Sequence, residues 1–150
     1  SGETDTQIEK KPTTSTGDDS TPKAEPQREP IHTVKVYSFG TYTGYMFNGS
    51  RHGEGQQVWN NGDKYEGNFV NDKMSGYGVL HSKTRKFRYE GNFSNDDFNG
   101  YGTYYHNDGW RHEGQFKNGR PHGEGTRFNA KGKSTKKGIW ENGELVTSIK

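Results

Sequence analysis

The sequence predicts an all-β protein: tandem antiparallel β-hairpins laid side by side as one elongated, twisted, single-layer meander sheet, preceded by a disordered N-terminal tail. Three observations predict it. The chain repeats itself at steps of 23 and 24 residues. Within each repeat, side chains of like character recur at every second position, the period of a strand with unlike faces. After each alternating run comes Asn-Gly or Asn-Asp, residues that tolerate positive φ and reverse the chain.

The repeats are read directly from the segments YTGYMFNGSRHGEG, YEGNFVNDKMSGYG, YEGNFSNDDFNGYG and HEGQFKNGRPHGEG, which begin at Tyr42, Tyr65, Tyr89 and His112. A partial copy, KKGIWENGE, begins at Lys136. The first glycine of each copy is Gly44, Gly67, Gly91, Gly114 and Gly138, and a later pair recurs as Gly53/Gly55, Gly76/Gly78, Gly100/Gly102 and Gly123/Gly125. Stacking the copies makes two ladders on one face. One runs Tyr42, Tyr65, Tyr89, His112; the other runs Met46, Phe69, Phe93, Phe116, Trp140. The glycine between them lies on the same face, where neighbouring rings can cover it. The glycine pair is expected to open a second strand, such as Gly55 to Trp59, and Val34 to Phe39 to be the second strand of a preceding hairpin. Further turns are expected at Asn61-Gly62, Asp108-Gly109 and Lys131-Gly132, with SKTRKFR replacing one of them. A lone hairpin is marginal in water, so stability must come from stacking between neighbouring repeats.

Composition fits a thin sheet. Only 24% of the 150 residues are hydrophobic, yet 13% are aromatic and 22 are glycine. That excludes a deep globular core and concentrates the apolar surface in flat rings. Residues 1–30 hold one large aliphatic residue, Ile8, and no aromatic. Such a segment cannot offset its ordering entropy by burial and is expected to be a disordered tail or linker. It carries seven acids and four bases, whereas 31–150 carries 17 bases and 12 acids, so a mildly acidic tail precedes a basic array. The absence of Cys excludes disulfides, thiol nucleophiles and thiolate metal sites. No apolar run approaches the roughly 20 residues that span a bilayer.

These residues resemble the MORN (membrane occupation and recognition nexus) repeat family, whose pattern is close to YxGxF/WxxGxxxGxG. The second and third copies match almost throughout, and the resemblance covers residues 34 to about 146. Departures are His112 for the leading Tyr, Met46 for the aromatic, and Lys136 in the last copy. The resemblance implies binding to other proteins, to a second copy, or to anionic phospholipid, in settings that include cytoskeletal and ciliary scaffolds. Choline-binding hairpin repeats are the rival. They cage a quaternary amine with clustered rings, whereas Trp59, Trp110 and Trp140 fall at non-equivalent positions here.

No catalytic or metal-binding constellation is expected. His52-Gly53-Glu54 and His122-Gly123-Glu124 are HxE strings, but the zinc deaminases that use them also need Cys-x-x-Cys. No nucleophile–base pair, P-loop or dinucleotide fingerprint occurs, so no cofactor is expected. Two binding surfaces are candidates. Lys83, Arg85, Lys86 and Arg88, then Arg111, then Lys131, Lys133, Lys136 and Lys137 are expected to form a basic turn edge for anionic phospholipid. Tyr101, Tyr104, Tyr105 and Trp110 are candidate contacts for a protein partner. A net charge of +5 on the array, with no binding motif, argues against nucleic acid, and no small-molecule substrate is expected. The expected function is a non-catalytic scaffold or adaptor that binds a protein partner and self-associates through its open edges. Alternatives are membrane tethering through phosphoinositides, or regulation of a catalytic domain outside this chain. No signal-peptide pattern opens the chain, and the expected location is cytoplasmic, peripheral to a membrane, the cytoskeleton or a cilium.

Overall fold

Alternating residues and tight turns build a single sheet in this computed structural model, which describes residues 29–149. The expected disordered tail falls almost wholly outside the described residues. In chain order the strands are β1 (Ile31–Tyr37), β2 (Gly40–Phe47), β3 (Ser50–Trp59), β4 (Lys64–Val70), β5 (Lys73–Ser82), β6 (Phe87–Ser94), β7 (Asp97–His106), β8 (Arg111–Lys117), β9 (Arg120–Phe128), β10 (Ser134–Glu141) and β11 (Glu144–Ser148). Each strand pairs antiparallel with its neighbour in sequence, and their spatial order equals their chain order. Eleven strands at roughly 4.8 Å spacing give a sheet nearly 50 Å across. Among the described residues there is no helix, and no segment forms a second layer.

The turns at one edge are Asn48-Gly49, Asn71-Asp72, Asn95-Asp96, Asn118-Gly119 and Asn142-Gly143, all with positive φ at both residues. That is the hairpin turn whose twist matches the strands it joins. Asp at the second position is strained relative to Gly, and its carboxylate offsets the strain by bonding the preceding repeat. Asp72 Oδ1 accepts from the Arg51 backbone N–H at 2.8 Å, and Asp96 Oδ1 from that of Met74 at 2.8 Å. The turn N–H groups of Asp72, Asp96, Gly119 and Gly143 donate to the carbonyls of Arg51, Met74, Phe98 and Pro121. The turns thereby stitch consecutive repeats together.

Two expected boundaries are corrected. The second strand of each hairpin starts directly after its turn, at Ser50 in the first copy, so the glycine pair lies mid-strand and does not open it. Val34 to Phe39 is also not one strand: β1 ends at Tyr37, and Ser38-Phe39 forms the turn into β2. The first error has a structural cause. A bulge after the first glycine of each copy, between Gly44 and Met46, Gly67 and Phe69, Gly91 and Phe93, and Gly114 and Phe116, absorbs extra residues of the facing strand. That bulge hides the period-two pattern there.

The bulge also explains why glycines come in pairs. The first of each pair (Gly53, Gly76, Gly100, Gly123) sits in the bulge at φ between 81° and 109°, where a side chain is strained. The second (Gly55, Gly78, Gly102, Gly125) faces a ring: a Cβ on Gly78 would overlap the Tyr65 hydroxyl and ring. Nine glycines form a continuous cross-strand row, Gly44, Gly55, Gly67, Gly78, Gly91, Gly102, Gly114, Gly125 and Gly138. The ladder rings lie over this row, which makes one face of the sheet its core.

That core is an edge-to-face zigzag. Tyr65 meets Phe69 of its own copy and Phe93 of the next, both at 5.1 Å between centroids and near-perpendicular. Tyr89 repeats this with Phe93 and Phe116, both at 5.1 Å, and Tyr42 joins at Phe69, 5.2 Å away. Such pairs contribute about 0.5–1.5 kcal/mol each beyond burial. The three tyrosines are fully buried, and their hydroxyls donate to the carbonyls of Tyr45, Asn68 and Asn92. Burial pushes the Tyr42 hydroxyl up to about 12 and raises Tyr65 and Tyr89 as well, so all three stay protonated donors.

The last rung exchanges sizes. His112, smaller than Tyr, faces Trp140, larger than Phe, at 4.5 Å, and both share the space over Gly125. Trp140 Nε1 donates to the Gly125 carbonyl at 3.0 Å.

Two stability measurements test this account. Gly78→Ala is expected to destabilise by about 2–3 kcal/mol through overpacking against Tyr65. Gly49→Ala, whose Cβ meets nothing, should cost only the positive-φ penalty of about 1 kcal/mol. Urea unfolding of the two variants decides it, and equal costs refute the ring-over-glycine lock. His112→Tyr should clash with Trp140, and adding Trp140→Phe should recover about 1 kcal/mol or more of that loss in a double-mutant cycle. Additive effects contradict the size exchange.

Candidate functional site

A face is distinguished by what its repeat positions do not share. On the core face, two positions of the second strands vary while the ladders hold. One series is Arg51, Met74, Phe98, Pro121, and the other is Gln57, Leu80, Tyr104, Arg127. Their cross-strand partners are the ladder residues, as in Phe69–Met74 and Tyr89–Leu80. In the middle of the sheet both series are apolar. Met74, Leu80, Phe98 and Tyr104, with Phe87, pack half-buried on the core cluster. They line a groove of about 410 Å³ whose rim includes Arg85, Asp96 and Asp97. The rings interlock: Phe98 stacks on Tyr89 at 3.9 Å and Phe87 on Tyr104 at 5.1 Å. No second layer covers them among the described residues.

The apolar stretch is bounded by one arginine at each side. Arg51 is fully engaged: its Nε and Nη2 reach Asp72 Oδ1 and the Asp72 carbonyl at 3.0 and 2.8 Å, and its Nη1 reaches Gln57 Oε1 at 2.9 Å. Gln57 is itself fully buried. Arg127 lies between the Trp110 and Trp140 rings, at 4.5 and 4.7 Å, with Nη2 3.5 Å from His112 Nδ1. Burial first, and the Arg127 charge second, pull the His112 imidazole down to about 4, so the ring is neutral at physiological pH.

The candidate partner contacts do not make one surface. Tyr104 forms the floor of the core-face groove, and Trp110 adjoins it at 5.8 Å while stacking on His106 at 4.7 Å. Tyr101 and Tyr105 alternate to the opposite face, where Tyr101 pairs with Gln115 and Tyr105 with Arg88. Tyr101 is well exposed there, whereas Tyr105 lies under the Arg88 guanidinium at 4.0 Å. The basic edge is also divided. Lys83, Arg85 and Lys86 occupy the β5–β6 turn, and Lys131 and Lys133 the β9–β10 turn, all exposed. Arg88 and Arg111 are not on that edge. They sit within β6 and β8 and are ion-paired to Glu90 and Glu113, at 3.2 and 2.7 Å. Lys136 and Lys137 belong to β10 rather than to the turn. An acid enters the edge as well: Asp63 accepts from the backbone N–H groups of Lys83 and Thr84, and these bonds hold its carboxyl below the usual range despite desolvation.

Sequence reading missed Met74, Leu80, Phe87, Phe98 and Arg127. A signal existed for four of them, since Met74/Phe98 and Leu80/Tyr104/Arg127 recur at repeat spacing. Among the described residues no group of three or more His, Cys, Asp or Glu is placed to hold a metal. The His52 of one HxE string has a structural partner, its Nδ1 accepting from the Asn71 N–H at 3.2 Å.

A linear array of stacked hairpins with a bulged glycine pair and a Tyr–Phe zigzag defines a tandem β-hairpin repeat protein. The sequence matches the MORN repeat over residues 42–64, 65–85, 89–111 and 112–134, and the chain belongs to that family. No curated protein matches it. Among the described residues no helix is long and apolar enough to cross a membrane.

A pH prediction follows from His112. Its unfolded pKa is near 6.5 and its folded one near 4, so the unfolded chain binds the proton more readily. The stability due to the neutral ring is complete above pH 6.5 and is lost as pH falls toward 4, a decline of about 3 kcal/mol at most. Thermal unfolding of the wild type and His112→Phe across this window should show a flatter profile for the variant. Parallel profiles contradict a buried neutral imidazole.

Proposed function

We propose that this chain is a non-catalytic scaffold or adaptor whose repeat sheet seats a segment of a protein partner along the core face. The observation that carries the reading is the uncovered apolar groove of Met74, Leu80, Phe87, Phe98 and Tyr104, centred on the second and third repeats. Half-buried apolar side chains that continue outward from a core, with nothing above them, match the buried centre of a protein interface. Arg85 on one rim and Arg127 beyond it favour acidic residues at those ends of an apolar segment, while Asp96 and Asp97 on the opposite rim favour a base there. The array over 31–150 acts as the binding unit, with 1–30 as its linker. Its location is cytoplasmic, peripheral to a membrane or the cytoskeleton.

Two further readings have their own support. Exposed Lys83, Arg85, Lys86, Lys131 and Lys133 on one edge support contact with anionic phospholipid, at about 1 kcal/mol per base near the surface. The internal pairing of Arg88 and Arg111 weakens it. The open edges of β1 and β11 support self-association, since Val34, Val36 and Val146 are exposed there.

Peptides selected from a random library on the wild-type protein test the main reading. They are expected to lose binding to Leu80→Glu by about tenfold or more, roughly 1.4 kcal/mol, and to keep it with Tyr77→Ala on the opposite face. Circular dichroism checks that both variants fold. Selected peptides that depend on Tyr77 or Tyr101 instead would move the site to the other face. Co-sedimentation with anionic vesicles, lost when Lys83, Arg85, Lys86 and Lys133 become Glu, would establish the lipid reading.

A further inference from the structure

Arg127 is a partly buried charge on the core face with no counter-ion among the described residues. Its Nε is buried and has no hydrogen-bond partner. Among the described residues no carboxylate lies within ion-pair distance of it. Its Nη2 lies 3.5 Å from His112 Nδ1, which belongs to a neutral ring and supplies no counter-charge. Burial alone lowers the guanidinium's pKa, with no anion acting against it. Arg51 shows how the same fold treats a comparable guanidinium, with an Asp72 carboxylate and a Gln57 amide engaging its nitrogens. Arg127 occupies the repeat position of Gln57 rather than that of Arg51, and among the described residues no turn carboxylate is paired with it. A partly buried cation without a counter-ion is costly, and cation–π contact with two tryptophans offsets only part of that.

We propose that Arg127 is the receptor for a carboxylate, the side chain of a Glu or Asp in a protein segment lying along the core face. The inference rests on the reading of that face as the docking surface. The two sites are continuous, because Trp110 lies 5.8 Å from groove-floor Tyr104 and 4.5 Å from the guanidinium. Leu80, Tyr89, Tyr104, His112 and Arg127 are successive cross-strand partners. At roughly 4.8 Å per strand, Leu80 and Arg127 are about 19 Å apart. A ligand therefore places its acid about six residues from its apolar anchor if extended at ~3.3 Å per residue, or about thirteen if helical at ~1.5 Å. The guanidinium lies over both tryptophan rings, and its fork of N–H donors matches a planar carboxylate through paired bonds. Lys136, the cross-strand partner of Arg127, is exposed and adds a second positive charge to steer the acid. A bilayer surface would instead meet the exposed Lys131 and Lys133 of the neighbouring turn.

The test uses the full chain and synthetic peptides that carry a Leu-rich anchor and one Glu at either spacing, each with a twin in which Gln replaces that Glu. Binding is read by tryptophan fluorescence and calorimetry. At least one Glu peptide is expected to bind the wild type about tenfold tighter than its Gln twin. Arg127→Met should erase that preference while leaving the Gln twin's affinity within about twofold. Met keeps an apolar stem between the tryptophans and removes the unpaired charge, so the variant's unfolding temperature should hold or rise. If Glu and Gln peptides bind the wild type equally, the carboxylate site is refuted and the groove survives. If neither peptide of any pair binds, both ideas fall. If phosphatidylserine vesicles bind the wild type and Arg127→Met abolishes it, the anion belongs to a lipid and the proposal is overturned.

Discussion

The tyrosine ring lying over a glycine on the neighbouring strand is the contact from which the rest of the structure follows. A single-layer sheet has no opposing layer to bury its apolar side chains. The rings must therefore cover the sheet's own backbone, and only a residue without a Cβ leaves room for them. Once Tyr42, Tyr65 and Tyr89 lie flat over Gly55, Gly78 and Gly102, their hydroxyls reach carbonyls three residues on. Their edges then meet the phenylalanines of two consecutive copies. Each rung is thus shared between repeats, which explains why a chain with so little apolar residue sustains a sheet this wide.

The ladder also decides where the protein can vary. Ladder and glycine positions are bound to one another by shape, and even the exception at His112 is matched by its partner Trp140. The positions flanking the ladder on the second strands carry no such constraint. There the first copy places Arg51 and Gln57, the next two place Met74, Leu80, Phe98 and Tyr104, and the fourth places Pro121 and Arg127. The result is an apolar strip between two guanidinium groups, one satisfied internally and one not. A regular scaffold therefore presents an irregular surface.

The repeat spacing, the strand period and the Asn-Gly or Asn-Asp pairs were enough to predict an all-β meander, its turn positions and the two ladders. These are local or periodic features, and in an array whose strands pair only with their sequence neighbours, local order nearly determines global order. The start of each second strand was not legible. The bulge that shifts it arises from the pairing of two strands and leaves no alternation to read. The basic edge was legible as a run of charges, but not that Arg88 and Arg111 turn away from it toward Glu90 and Glu113.

What the sequence by itself determined is the architecture, because glycine, asparagine and aromatic residues at fixed offsets admit one arrangement of hairpins. What only the tertiary structure decided is which side chains share a surface. Tyr104 and Tyr105 are adjacent in the chain and lie on opposite faces. Leu80 and Arg127 are far apart in sequence, yet lie in one cross-strand row. Whether Arg127 meets an internal acid likewise depends on what the neighbouring strands bring within reach, and the two tryptophans that flank it come from separate repeats. Period and spacing set the row each residue occupies, but charge compensation is a property of three-dimensional proximity, which no single strand encodes.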